Sequence, residues 1–69
     1  MHLIFGERLK ELRQERNLGI VELAKHLEVR HSTISKWENG KLDPKLSSLL
    51  AIVKYFEVTM DFLVGLTDY

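Results

Sequence analysis

The stretch that decides the fold is His31-Ser32-Thr33-Ile34-Ser35-Lys36-Trp37-Glu38-Asn39-Gly40. Arranged as a helix, this stretch has two unlike faces. Ile34 and Trp37 are three residues apart, so they share one face and can be buried together. The opposite face carries short or flexible hydrogen-bonding side chains, which are those of His31, Ser32, Ser35 and Lys36. Gly40 is suited to end the helix, because glycine adopts the left-handed conformation without steric cost.

A second helix is predicted just upstream, because apolar side chains recur there at helical spacing. They are Ile20, Leu23, Ala24 and Leu27. Gly19 can serve as the N-cap of this helix, and only the segment 28–30 separates it from the next one. Two helices joined by a tight turn, the second with a polar front, form the architecture of a DNA-reading motif. In such motifs the second helix enters the major groove.

Another helix is predicted before this pair. Phe5, Leu9 and Leu12 have helical spacing, and Asn17 tolerates the left-handed conformation that follows a helix end. We expect this helix to end near Arg16.

Two further helices are predicted after Gly40. Asp43 and Pro44 are the residue types expected at the N-cap and the first position of a fourth helix. Its predicted apolar face comprises Leu46, Leu49, Leu50, Val53 and Phe56. Thr59 and Gly65 bound a short fifth helix. We therefore predict one all-α domain over residues 1–69, with five helices at about 4–16, 20–27, 31–39, 45–56 and 60–64.

Composition limits the functions that this chain can have. There are no cysteines, which excludes disulfides and thiolate metal sites and fits a reducing cytoplasm. His2, His26 and His31 are scattered without metal-ligand spacing, so we expect no metal and no cofactor. Ser32 and Ser35 stand near His31, but an exposed helix excludes no water, so we expect no enzyme. No apolar run approaches the length of a membrane span.

Charge is balanced overall but unevenly distributed. The formal net charge is zero, whereas DNA-binding domains usually carry a basic excess. Between residues 30 and 45, four cations stand against Glu38 and Asp43: Arg30, Lys36, Lys41 and Lys45. The chain from residue 46 onward is acidic. The pattern predicts a basic reading face on a neutral domain.

Three segments resemble the Cro and phage-repressor family of helix-turn-helix domains, also called the xenobiotic-response-element type. They are Arg8-Leu9-Lys10-Glu11-Leu12-Arg13, Glu22-Leu23-Ala24 and Ser32 to Gly40. The likeness runs from about Phe5 to Asp68. It implies a compact lambda-repressor-like domain and a sequence-specific transcriptional regulator, a repressor encoded by a bacterium or phage. The expected partners are double-stranded DNA and a second copy bound on a palindromic operator, with no membrane and no small-molecule ligand.

The resemblance also assigns roles to residues. Base reading falls to His31, Ser32, Ser35 and Lys36, and phosphate contacts fall to Asn39, Lys41 and Lys45. Apart from the resemblance, Arg30 is well placed to reach a phosphate, and Thr33 is a further candidate for such a contact. The family pairs the positions of Arg13 and Glu38 across the core, so we expect a structural ion pair there. The last residues hold more apolar side chains than one short helix can bury, and Met60, Leu66 and Tyr69 are the predicted dimer patch.

Three positions depart from the family pattern. Ile20 replaces a glutamine that commonly touches a phosphate, Glu28 replaces a glycine with positive φ, and Arg30 replaces a Ser or Thr N-cap. With the zero net charge, these departures keep an alternative open. The scaffold could serve as a protein-interaction or antitoxin-like adaptor that no longer reads DNA.

Overall fold

The computed structural model describes the backbone of residues 3–68 and the side chains of residues 4–68. Over that range the chain forms five helices and no strand. They are α1 (Leu3–Glu15), α2 (Ile20–Leu27), α3 (His31–Glu38), α4 (Leu46–Phe56) and α5 (Met60–Val64). The predicted all-α fold with five helices is confirmed. Among these helices, none has both the length and the apolar character that crossing a membrane would require.

The core is formed by buried side chains from all five helices. Phe5, Leu9 and Leu12, the residues with helical spacing in α1, are all buried. α1 packs against α3 and α5, while α2 packs against α3 and α4. Trp37 was predicted to be a core residue, and it lies buried with its ring edge-on to that of Phe5, the centroids 6.2 Å apart. The hydrophobic contacts of α1 therefore hold the back of α3.

Arg13 and Glu38 form an ion pair across the α1–α3 interface. Arg13 Nε donates to Glu38 Oε2 at 2.7 Å and Nη2 donates to Oε1 at 3.1 Å, so the guanidinium grips both carboxylate oxygens. The two side chains are 11% and 6% exposed. A third donor, Nη1, holds the Leu18 carbonyl at 2.9 Å. The hydrogen bonds to Glu38 raise the pKa of Arg13 against the opposing effect of burial, and the negative charge of Glu38 adds to the rise, so Arg13 stays charged.

Two other arginines, Arg8 in α1 and Arg16 just after it, fix the C-terminal helices. Arg8 donates to the carbonyl oxygens of Phe62 at 3.3 Å and Thr67 at 3.2 Å, and its guanidinium lies 4.2 Å from the centroid of the Phe62 ring. Arg16 donates to the Phe56 carbonyl at 2.8 Å, at the end of α4. The two guanidinium groups thereby tie the end of α4 and the segment around α5 to the N-terminal part of the chain.

The connections use left-handed residues where the sequence indicated them. Asn17 has φ 55°, and the Leu18 amide donates back to the Arg13 carbonyl at 3.1 Å. Glu28 has φ 58° in the turn between α2 and α3, although it is not a glycine. Gly40 has φ 71° just after α3. These predicted turn conformations are confirmed, and the three-residue turn 28–30 places α3 directly after α2.

The predicted N-cap of α4 is wrong, although the helix begins within one residue of the predicted position. Lys45, not Asp43, is its N-cap, with φ −73° and ψ 159°, and the helix begins at Leu46. The Lys45 carbonyl accepts the first helical hydrogen bond, from the Leu49 amide at 3.0 Å. Because the backbone at Lys45 is extended, Pro44 lies before the helix instead of in its first turn.

The predicted apolar face of α4 is also partly wrong. Leu46 and Leu50 are 68% and 52% exposed, whereas Ile52, which the prediction omitted, is fully buried with Leu49 and Phe56. Residues 49, 52 and 56 are three and four apart and form one stripe. Leu46 and Leu50 lie beside this stripe, so they face outward.

A glycine allows α1 and α3 to approach closely. Gly6 lies in the first half of α1, where glycine costs about 1 kcal/mol relative to alanine. A Cβ atom at this position would lie 2.5 Å from the Trp37 carbonyl oxygen and 2.6 Å from that of Glu38. Both neighbours are backbone atoms at the end of α3. Any larger residue at position 6 therefore has to push α3 away from α1.

Breaking the ion pair between Arg13 and Glu38 should destabilise the domain strongly. Glu38→Gln or Arg13→Met leaves the other charge unpaired at a partly buried site, which costs about 3 kcal/mol, the lower end of the range for buried pairs. The corresponding fall in Tm is about 12 °C or more for a domain of this size. Thermal unfolding followed by circular dichroism measures it. Lys10→Met, on the exposed side of the same helix, is the control, and the double variant Arg13→Met/Glu38→Leu should recover much of the loss. Unchanged Tm values for both single variants would show that the pair is not structural.

Gly6→Ala should lower the free energy of unfolding by about 3 kcal/mol or more, at the upper end of overpacking effects, because backbone oxygens cannot move aside. Gly19→Ala is the matched control. Nothing lies within 4 Å of a Cβ at position 19. The substitution therefore costs only the difference in N-cap preference between glycine and alanine, about 1 kcal/mol or less. Urea unfolding followed by Trp37 fluorescence compares the two. Equal losses would contradict the close approach of α1 and α3.

Candidate nucleic-acid interface

α3 is held by its back and presents a polar front. Ile34 and Trp37 are buried, whereas His31, Ser32 and Lys36 on the other side are exposed and Ser35 is half-buried. The structure therefore brings the four predicted base-reading residues to one side of a single helix. A helix of this kind can enter a major groove without giving up core contacts.

A groove runs beside the α2–α3 turn and the α3–α4 loop. Its volume is about 350 Å³, and its lining comprises Val29, Arg30, Thr33, Trp37, Leu42, Asp43, Lys45 and Ser48. Three of the five predicted phosphate-contact residues, Arg30, Thr33 and Lys45, meet there. Lys41 is exposed outside the groove lining. Two cations and two hydroxyl groups at one groove are the side-chain types that contact a DNA backbone.

Ser48 is a groove residue that the sequence prediction did not include. It lines the groove together with Arg30, Thr33 and Lys45, and it lies in the first turn of α4. With Asp43 as the predicted N-cap, Ser48 would fall in the second turn, so the sequence did not mark it as a contact residue.

The ion pair of Glu38 changes the surface charge of α3. Glu38 turns inward to Arg13, so Asp43 is the one exposed carboxylate within residues 30–45. The four cations of that segment are all exposed: Arg30, Lys36, Lys41 and Lys45. This surface is accordingly more basic than the formal charge of the segment indicates, although the whole domain is neutral.

Asn39 is the remaining predicted phosphate contact, and its side chain is hydrogen-bonded to Ser35. Its side-chain Nδ2 donates to the Ser35 carbonyl oxygen at 2.9 Å and lies 3.4 Å from Ser35 Oγ. Asn39 itself is exposed at the C-terminal end of α3. Its amide group is thus directed along the helix to one of the predicted base-reading residues.

The structure shows what the side chains of Ile20 and Arg30, two of the departures from the family pattern, contact. Ile20 packs partly against the core, so its side chain is directed inward. The Gly19 amide before it donates to Glu22 Oε1 at 3.5 Å. Arg30 is the N-cap of α3 but makes no side-chain capping bond, which leaves its exposed guanidinium available at the groove.

The residues of the predicted dimer patch differ in how exposed they are. Leu66 is 76% exposed, whereas Met60 is half-buried against the core, and Tyr69 lies outside the described residues. Phe62 and Leu63, expected to cover the core, do so. Within residues 3–68 there is no cluster of three or more His, Cys, Asp or Glu side chains that could hold a metal.

A tight turn between two short helices, the second with a buried back and a polar front, defines a helix-turn-helix domain. The family model for helix-turn-helix domains matches residues 9–63. The chain therefore belongs to the helix-turn-helix family, of the Cro and phage-repressor type.

Among curated proteins, the chain is 47% identical over 61 residues to the HTH-type transcriptional activator BcrR of Enterococcus faecalis, covering 88% of this chain and 30% of that protein. It is 33% identical over 60 residues to the HTH-type transcriptional regulator ImmR of Bacillus subtilis, covering 87% of this chain and 47% of that protein. The chain thus spans less than half the length of either relative.

Two solved structures share the fold. One is the P22 c2 repressor in complex with a synthetic operator, with TM-score 0.82 and 30% identity over 87% of this chain and 91% of that one. The other is SinR, the master regulator for biofilm formation, in complex with DNA, with TM-score 0.79 and 26% identity over 87% and 97%. The predicted lambda-repressor-like fold is confirmed.

Proposed function

We propose that this chain is a sequence-specific double-stranded DNA-binding domain of a transcriptional regulator in the cytoplasm of a bacterium. The observation that carries the proposal is α3, with its buried back, its polar front and four exposed cations in it or close to its two ends. The DNA complexes of the P22 c2 repressor and SinR, which share this fold, support it. In this arrangement α3 lies in the major groove.

Recognition divides between the two sets of residues. His31, Ser32, Ser35 and Lys36 address base edges, because they lie on the exposed side of α3. Arg30, Thr33 and Lys45 hold phosphates from the groove beside the turn, and Lys41 does so from the loop. Phosphate contacts set register on the duplex, and base contacts set sequence.

Whether a DNA-binding regulator activates or represses transcription depends on where its site lies relative to the promoter. The sequence predicts a repressor, and the P22 c2 structure is that of a repressor. BcrR is named an activator. We propose that this chain represses transcription.

A two-fold dimer is part of the proposal. One reading helix covers only a few base pairs, and a symmetric pair places two such helices about 34 Å apart on a palindrome. Leu66 is the described member of the predicted patch that is exposed, so we propose that it lies at the centre of the contact. A small patch predicts weak pairing in solution that a duplex with both half-sites strengthens.

Salt-dependent DNA binding tests the function. Wild-type protein should bind random duplex DNA weakly, with affinity falling steeply as salt rises. Lys36→Ala should lose about 1–3 kcal/mol on a selected site and less on random DNA. Lys41→Ala and Lys45→Ala should weaken both duplexes alike and lower the salt slope by about one. Fluorescence anisotropy across a salt series measures all three effects.

Lys54→Ala is the control, since Lys54 is an exposed cation on α4 outside the groove beside the turn. It should leave binding unchanged. If the wild type shows no salt-dependent binding to any duplex, the domain is an adaptor and the proposed function fails.

Leu66→Glu should abolish cooperative binding of two copies to a palindromic duplex while leaving binding to a single half-site intact. A buried carboxylate at the contact costs more than a weak interface contributes. Sedimentation of protein with palindromic DNA measures the stoichiometry. Leu50→Glu on α4 is the matched control, because Leu50 is an exposed leucine outside the predicted patch. If Leu50→Glu prevents pairing and Leu66→Glu does not, the dimer forms through α4.

A further inference from the structure

We propose that Asn39 is a positioning residue that makes the Ser35 hydroxyl a hydrogen-bond donor to a base. This inference rests on the proposed function, since it concerns how α3 reads DNA. It assigns Asn39 a part in specificity instead of the phosphate contact that the sequence predicts.

The geometry identifies which end of the Asn39 side chain faces Ser35. The Ser35 carbonyl oxygen can only accept a hydrogen bond, and the side-chain group 2.9 Å from it is therefore the NH2 of Asn39. The same nitrogen lies 3.4 Å from Ser35 Oγ, so it also donates to the hydroxyl oxygen. The backbone amide of Asn39 bonds to the same carbonyl at 3.0 Å, which fixes the residue against the last turn of α3.

A serine hydroxyl has one proton to donate and two lone pairs that accept. A free serine can therefore face either a base donor or a base acceptor and discriminates poorly between them. In this domain Asn39 directs a donor at Ser35 Oγ, and within residues 3–68 the hydroxyl proton has no acceptor. The proton is accordingly left for a partner outside the chain.

This arrangement sets a base preference. Guanine presents N7 and O6 and thymine presents O4 as acceptors in the major groove, whereas cytosine presents the N4 donor. Ser35 should therefore favour guanine or thymine over cytosine on the strand that it faces, by about three- to tenfold for one hydrogen bond.

The same geometry disfavours a phosphate contact by Asn39. Its NH2 group is used within α3, and the remaining Oδ1 is an acceptor. Phosphate oxygens are acceptors too, so they cannot bond to Oδ1. Lys41, the nearby exposed cation, has no such constraint.

Selection of bound duplexes from a random pool tests the proposal, with wild type, Ser35→Ala, Asn39→Ala and the double variant. Ser35→Ala should relax preference at one base-pair position, and Asn39→Ala should relax the same position about three- to tenfold. The double variant should add nothing further, because the two residues act as one unit. Asn39→Asp replaces the donor by acceptor oxygens, which the Ser35 carbonyl repels, so it should lose the preference for guanine or thymine.

Ser32→Ala is the matched control. It removes an exposed hydroxyl from the same helix, and its effect should fall at another position and add to that of Asn39→Ala. The inference is overturned if Asn39→Ala weakens all sequences equally, if it relaxes a position different from that of Ser35, or if Asn39→Asp keeps the wild-type preference. It is also overturned if Ser35→Ala relaxes no position while the wild type still selects a sequence. A wild type that selects no sequence overturns the proposed function itself.

Discussion

The grip of α1 on α3 is the constraint on which the rest of the structure depends. α3 has eight residues, too few for a helix to be stable alone in water. It is held by the hydrophobic contact of its back with Phe5 and by the hydrogen bonds from Arg13 to Glu38. Gly6 permits this contact, because its missing side chain leaves space for the carbonyl oxygens at the end of α3. The position of the reading surface is thus determined by residues on another helix.

The same ion pair has an electrostatic consequence. Turning Glu38 toward Arg13 removes a negative charge from the surface of α3, although the overall charge of the chain is unchanged. The exposed acids near the end of the chain, Glu57, Asp61 and Asp68, lie outside the groove beside the turn. A neutral domain can therefore attract a phosphate backbone on one side, since the field close to a surface depends on the charges nearest to it.

Local signals in the sequence predicted most of the fold. The apolar spacing of α1, α2 and α3 determines where these helices lie, and the left-handed residues Asn17, Glu28 and Gly40 follow their ends. The start and face of α4 were not predictable in this way, because both Asp43–Pro44 and Lys45 are compatible with a helix start. Leu46 and Leu50 have the same apolar character as Leu49, and only packing against the other helices determines which of them is buried.

Contacts between distant residues were harder to predict from the pattern of residue types. Arg8 in α1 and Arg16 just after it belong to a set of charged residues that is typical of a solvated face, yet both reach carbonyls of the C-terminal helices. Gly6 shows no signal of its role, since its neighbours on α3 are more than thirty residues away. The Arg13–Glu38 pair was predicted because of family resemblance, not because spacing along the chain required it.

Two departures from the family pattern, Glu28 and Arg30, lower stability and place charged side chains at the turn before α3. A Ser or Thr N-cap before α3 would contribute about 1 kcal/mol, and Arg30 makes no capping bond. Instead of a cap, Arg30 provides a cation at the groove that Lys45 also lines. Glu28 adds the cost of a left-handed conformation, about 1 kcal/mol, in the same turn. The core contacts of α3 offset both costs, since Ile34 and Trp37 are buried and Glu38 is held in a partly buried ion pair with Arg13.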